Sequence, residues 1–140
     1  MNATSIPENV RRRVREDAKL TTEAVEKVFD SMLTEFFDPS FGVPAESEKH
    51  KGLYVAPAIA KRDDGRNSLF IFYFDRMGEV KVVDRKKFPE ASILDIIAVS
   101  TVMVDFVKAA KEHLERTASI LERCAACCEA LRGARDILES

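Results

Sequence analysis

Apolar residues recur at steps of three and four through the last fifty positions of the chain without losing phase. The series runs Ile93, Ile96, Ser100, Met103, Val107, Ala110, Leu114, Thr117, Leu121, Cys124, Cys128, Leu131, Arg135 and Leu138. Val99, Phe106, Ile120, Cys127 and Ala134 widen the stripe on one flank, and Lys108, Glu112, Glu115, Arg116, Glu122, Arg123, Glu129 and Asp136 occupy the opposite side. This pattern predicts a helical region over 90–139 that must lay one face against other helices. Unbroken, such a helix would be roughly 70 Å long, well beyond the diameter of a compact body of this length. It therefore either finds a partner or folds back, and Thr117-Ala118-Ser119 and Gly133 are the two places where it could turn.

A second helical region is predicted over 6–37. Ser5-Ile6-Pro7-Glu8 has the form of a capping box with proline in the first turn, and Asp38-Pro39 is a stop. Val14, Ala18, Thr21, Val25, Val28, Met32 and Phe36 keep helical spacing between them, with a break near Thr22 as the alternative, since a threonine there could cap a second helix. Residues 38–52, rich in proline, glycine and charge, read as a loop.

Residues 53–87 then change period. Leu53 to Lys61, Asn67 to Asp75 and Glu79 to Arg85 read as three strands, punctuated by Asp63-Asp64-Gly65 and Arg76-Met77-Gly78. Two successive hairpins make an antiparallel meander. The middle strand is apolar on both faces, Leu69, Ile71 and Tyr73 against Phe70, Phe72 and Phe74, so both faces need cover. Pro57 confines the first strand to an edge or a bulge. The expected fold is thus α+β: one domain, 1–140, with a three-stranded meander flanked by a long helical region on each side.

Composition narrows the classes of function. The chain has 140 residues, 46% of them hydrophobic, enough for one domain with a real core. No apolar run reaches the length of a membrane span, and residues 1–10 lack the apolar segment of a secretion signal, which points to the cytoplasm. Net charge is −2; residues 1–90 carry 16 basic and 16 acidic side chains and residues 91–140 carry 6 and 8, so neither part is a general attractor of nucleic acid.

The candidate chemistry is sparse. Cys124, Cys127 and Cys128 share one helical face, which a metal or a redox pair could use. They also fall on the apolar stripe, where a free cysteine acts as a small hydrophobe, and far from the helix N-terminus that activates a redox CxxC. Packing is the preferred reading. His113, on the same side, lies ~16 Å up the helix from Cys124, too far to share a metal with it in one chain; in two antiparallel copies it could approach the second copy's Cys127. Arg11, Arg12, Arg13 and Arg15 form one basic patch and Arg85, Lys86 and Lys87 another, either able to touch phosphates. Acidic neighbours and the lack of interleaved aromatic residues favour plain surface charge. Asp95 and Asp105 lie in the most apolar part of the last helix, Asp95 where the helix dipole favours an acid. No phosphate loop, HExxH or nucleophile elbow is present.

The expected function is therefore an interaction or assembly module without chemistry or cofactor of its own. Val107, Leu114, Leu121, Cys128 and Leu131 are the expected interface, and a second copy of the chain and another protein are the expected partners. A nucleic-acid-binding dimer, and a small-ligand or metal sensor with a pocket between the Phe-rich sheet face and the helices, are the alternatives.

Overall fold

A computed structural model describes residues 5–34, 45–47, 52–75 and 81–140. Helix α1 spans Glu8–Val28; strands β1 (Ala45–Glu46), β2 (Leu53–Lys61), β3 (Asn67–Asp75) and β4 (Lys81–Lys87) follow; a 3-10 turn, Phe88–Glu90, leads into helix α2, Ile93–Glu139. The strands lie in chain order in one antiparallel sheet. The meander expected between two helical regions is present, with the two-residue β1 added beside β2 from within the segment read as loop.

The helices settle points the sequence leaves open and depart from it at the end of α1. Helix α1 starts at Glu8, directly after Pro7, whose fixed backbone leads into the first turn. It continues through Thr22, whose hydroxyl donates to the Ala18 carbonyl at 2.8 Å and so stays inside the helix. It ends at Val28, yet Phe29 and Met32 remain 2% exposed in the following turn; the core still claims those positions, so apolar spacing outlives the helix. The expected helical positions 35–37, most of the expected loop, including His50, and the expected turn at Arg76-Met77-Gly78 lie outside the described residues. Of the two possibilities for the last helical region, the continuous one is realised: α2 has no turn at 117–119 or at Gly133.

Pairing of β2 with β3 keeps one register along its length, from Leu53 opposite Asp75 to Lys61 opposite Asn67. The β2–β3 turn closes by an Arg62 N–H donating to the Arg66 carbonyl at 2.7 Å, with Gly65 at φ +83°, a conformation glycine adopts at no steric cost. Pro57 sits two residues past the part of β2 that pairs with β1, where its missing N–H breaks no ladder with that strand. Strand β4 is the outer edge; Asp84, Arg85, Lys86 and Lys87 along it discourage further strand addition.

Both helices pack on the Leu69–Ile71–Tyr73 face. There Val55, Ile59, Leu69, Ile71 and Tyr73 meet Ala18, Val25 and Phe29 of the α1 region and Ile96, Val99, Phe106 and Ala110 of α2. Phe70, Phe72 and Phe74 point the other way, paired with Ala58, Ala56 and Tyr54. A pocket between that Phe-rich face and the helices is accordingly not formed among the described residues. Phe70 is instead covered by the Arg85 guanidinium, 4.5 Å from the ring centroid, and Phe72 is half-buried.

Asn67, 2% exposed, closes the end of α1 from the sheet: its amide donates to the carbonyls of Phe29 at 2.7 Å and Met32 at 2.8 Å. It thereby fastens the turn that follows α1 to the first residue of β3. Ile71→Ala, at a fully buried position, should cost ~2–5 kcal/mol, and Phe72→Ala should cost less than Ile71→Ala, because part of the ring already meets water. Urea titration of both variants checks the order.

Candidate functional site

The N-terminus of α2 is where a polar group has been taken furthest from water. Ser92 caps the helix, its hydroxyl accepting from the Asp95 N–H at 3.3 Å. The Asp95 side chain is fully buried; it accepts from the Ser47 hydroxyl at 2.9 Å and from the Tyr73 hydroxyl at 2.8 Å. Residue 47, β3 and α2 are thereby tied at one carboxylate. Burial, and then the hydrogen bond to Asp95, push the Tyr73 phenol up beyond its ordinary range. The arrangement is a structural joint between three parts of the chain.

From that root α2 first crosses the sheet and then leaves it. Ile93, Asp95, Ile96, Val99, Phe106 and Ala110 are buried, and Met103, Val107 and Leu114 pack against the same cluster. Thr117 is the last residue with partial cover; from 118 onward every side chain is exposed. The free part, 118–139, is roughly 30 Å of helix. Its seam carries Leu121 at 54%, Leu131 at 59% and Leu138 at 84% exposure. A large apolar stripe left in water on a monomer marks an interaction surface.

The residues singled out from sequence fall into two groups on this helix. Val107 and Leu114 serve the chain's own core in part, while Leu121, Cys128 and Leu131 lie on the free arm. Cys124, Cys127 and Cys128 are all free and exposed there, so within one chain they pack against nothing. His113 is half-buried one turn before Thr117, whose hydroxyl donates to the His113 carbonyl at 2.8 Å. Among the described residues, no group of three or more His, Cys, Asp or Glu side chains within the chain could hold a metal ion.

The first basic patch lies on α1, and the second is split between the two faces of the sheet. Arg15 bonds to the Pro89 and Ala91 carbonyls, both at 2.9 Å, and so fastens α1 to the turn that precedes α2. Arg11 pairs with Glu8 at 2.6 Å, and Arg12 and Arg13 are exposed. Arg85 and Lys87 pair with Phe72 and Phe70, on the face away from the helices, whereas Lys86 pairs with Ile71 on the helix side. Near Arg85 and Lys87 a depression of about 340 Å³ is lined also by Arg62, Asp63, Asp64 and Phe70. Its arginines are engaged: Arg62 bonds Glu26 and Asp64, and Arg85 donates to the Lys61 carbonyl at 2.8 Å. The Arg66 backbone N–H and then the Arg62 guanidinium hold the Asp64 carboxylate below its ordinary range.

Sequence reading placed Asp95 at a helix start but not its partners, Ser47 and Tyr73, which lie 48 and 22 positions away. The signal open to it was an acid three residues after a serine cap, flanked on both sides by isoleucines that had to be buried. Arg15 and Asn67 carried no sequence signal, since their partners are backbone carbonyls far along the chain. No helix among the described residues is long and apolar enough to cross a membrane. A scan against protein-family models and searches of curated proteins and of solved structures find no match.

Two measurements probe the site. Tyr73→Phe removes a donor from a buried carboxylate and should cost about 1–3 kcal/mol at neutral pH. A raised phenol contributes stability that is whole below the unfolded value of about 10 and declines as pH rises above it; denaturant titrations between pH 7 and 11 should therefore show a steeper alkaline loss in the wild type than in Tyr73→Phe. On α1, Arg15→Ala should cost about 1–2 kcal/mol through its two lost carbonyl bonds, against less than ~0.5 kcal/mol for Arg13→Ala on the exposed side.

Proposed function

We propose that this protein is a non-enzymatic assembly module that pairs with a second copy of itself through the free half of α2 and presents the helix-and-sheet body to a further protein partner. The observation that carries this reading is the exposed seam of residues 118–139. An isolated helix of this length is marginal in water, and this one holds Leu121, Leu131 and Leu138 in solvent unless another helix covers them. The seam continues in phase from Leu114, so a partner helix can seat along the whole arm without disturbing the core. Arg135 apart, charges stay out of the seam, with Glu115, Glu122, Glu129 and Asp136 on one line and Arg116 and Arg123 beside it, as a solvated back face requires.

The nucleic-acid alternative is weaker because Arg11, Arg15 and Arg85 already have partners and Arg85 and Lys87 lie on the sheet face away from the helices. Three free thiols fit a reducing compartment, and we read the protein as cytoplasmic.

Light scattering coupled to size exclusion tests the proposal. The wild type should elute as a dimer or a larger closed assembly at micromolar concentration. Leu121→Glu should shift it to monomer, because the new carboxylate would have to be desolvated in the seam, and should leave the melting of the body unchanged. A wild-type monomer at high micromolar concentration would sink the reading.

A further inference from the structure

We infer that two arms pair antiparallel about a two-fold axis at Ala126 and that Cys124 and Cys128 of both copies form a four-sulfur site for a thiophilic divalent cation such as Zn²⁺. The inference rests on the self-association proposed above. In an antiparallel pair each seam residue faces a seam residue of the other copy, and the two residue numbers add to a constant. With that constant at 252, Leu114 faces Leu138, Thr117 faces Arg135, Leu121 faces Leu131 and Cys124 faces Cys128. Large side chains meet large ones, and the whole arm is used from its base to its tip.

The neighbouring registers are worse on stated grounds. One heptad toward the body would set Arg135 of the second copy against Ala110, which is fully buried by its own core. One heptad outward would set Cys124 against Arg135 and leave Leu114 and Thr117 uncovered. A parallel pair would put Arg135 opposite Arg135 in the seam, a like-charge contact that opposes association.

Around the axis the chosen register makes two consecutive layers of cysteine opposite cysteine. Thiols lack the volume of the leucines in the layers on either side, and close packing does not tolerate the void. Cys124 and Cys128 are four apart on one helix face, so their Cβ atoms are ~5–6 Å apart, within reach of Zn–S bonds of ~2.3 Å. Four thiols give their protons to solvent on ligation, leaving a site of charge −2 with the ion. Arg132, one turn beyond Cys128 at the flank, supplies one positive charge from each copy to offset it. One chain alone cannot complete this site; the second copy contributes half the ligands.

The test uses the full chain in reducing, metal-free buffer, titrated with ZnCl₂, with bound zinc measured after dialysis and mass by light scattering. One zinc per two chains is expected, lost on Cys124→Ala or Cys128→Ala and kept on Cys127→Ala. Co²⁺ in place of zinc should give the intense visible absorption of a tetrahedral thiolate site. A dimer without stoichiometric zinc, or zinc that survives Cys124→Ala, overturns the site and leaves the self-association reading standing. A monomer that binds one zinc per chain overturns it as well. A monomer with and without zinc at high micromolar concentration overturns both.

Discussion

A single buried carboxylate sets the geometry of this protein. Asp95 is out of water, a costly place for a potential charge unless it is hydrogen-bonded. Two hydroxyls, from Ser47 and Tyr73, and the positive end of α2 supply what water would have given. The three groups come from the segment after β1, from the central strand and from the first turn of α2, so the joint forms only when sheet and helix are assembled. Because it sits at the first turn, it settles where α2 starts and along which line it crosses the sheet.

What α2 does after that follows from its length. The body is one sheet deep and one α1 wide, and it uses up its contacts by Leu114 and Thr117. Beyond them the same seven-residue rhythm continues with no body beneath it. The helix thus divides into a segment whose apolar residues hold the fold and a segment whose apolar residues hold nothing within the chain. A protein that needed only the first segment would be better served by a charged second one. The retained leucines are the reason for regarding the arm as an interface.

The strands were the most legible part of the chain, because Asp63-Asp64-Gly65 marks a turn by its backbone demands and the apolar run of β3 has no helical period. The end of α1 was not legible: Phe29 and Met32 stay in the core after the helix stops, so apolar spacing persists where the regular α-helical bonding does not. Continuity of α2 was equally hidden, since Thr117, Ser119 and Gly133 suit a turn as well as an exposed helix. At the candidate site the stripe could be read directly, but not which heptads the chain keeps for itself. That division depends on how far the sheet reaches, a tertiary property with no local signature. The Asp95 joint and the Arg15 clasp were illegible for the same reason, their partners being distant in sequence.

The root and tip of α2 stand in a mechanical relation. From Asp95 to Leu138 is ~65 Å at the rise of an α-helix, and the joint at the root occupies only the first turn. The body clamps the helix as far as Leu114, however, so a bend of ~10° just beyond that point would carry the tip through only ~6 Å. The clamped half therefore fixes the bearing of the arm, and the tip can wander only as far as the unclamped half bends.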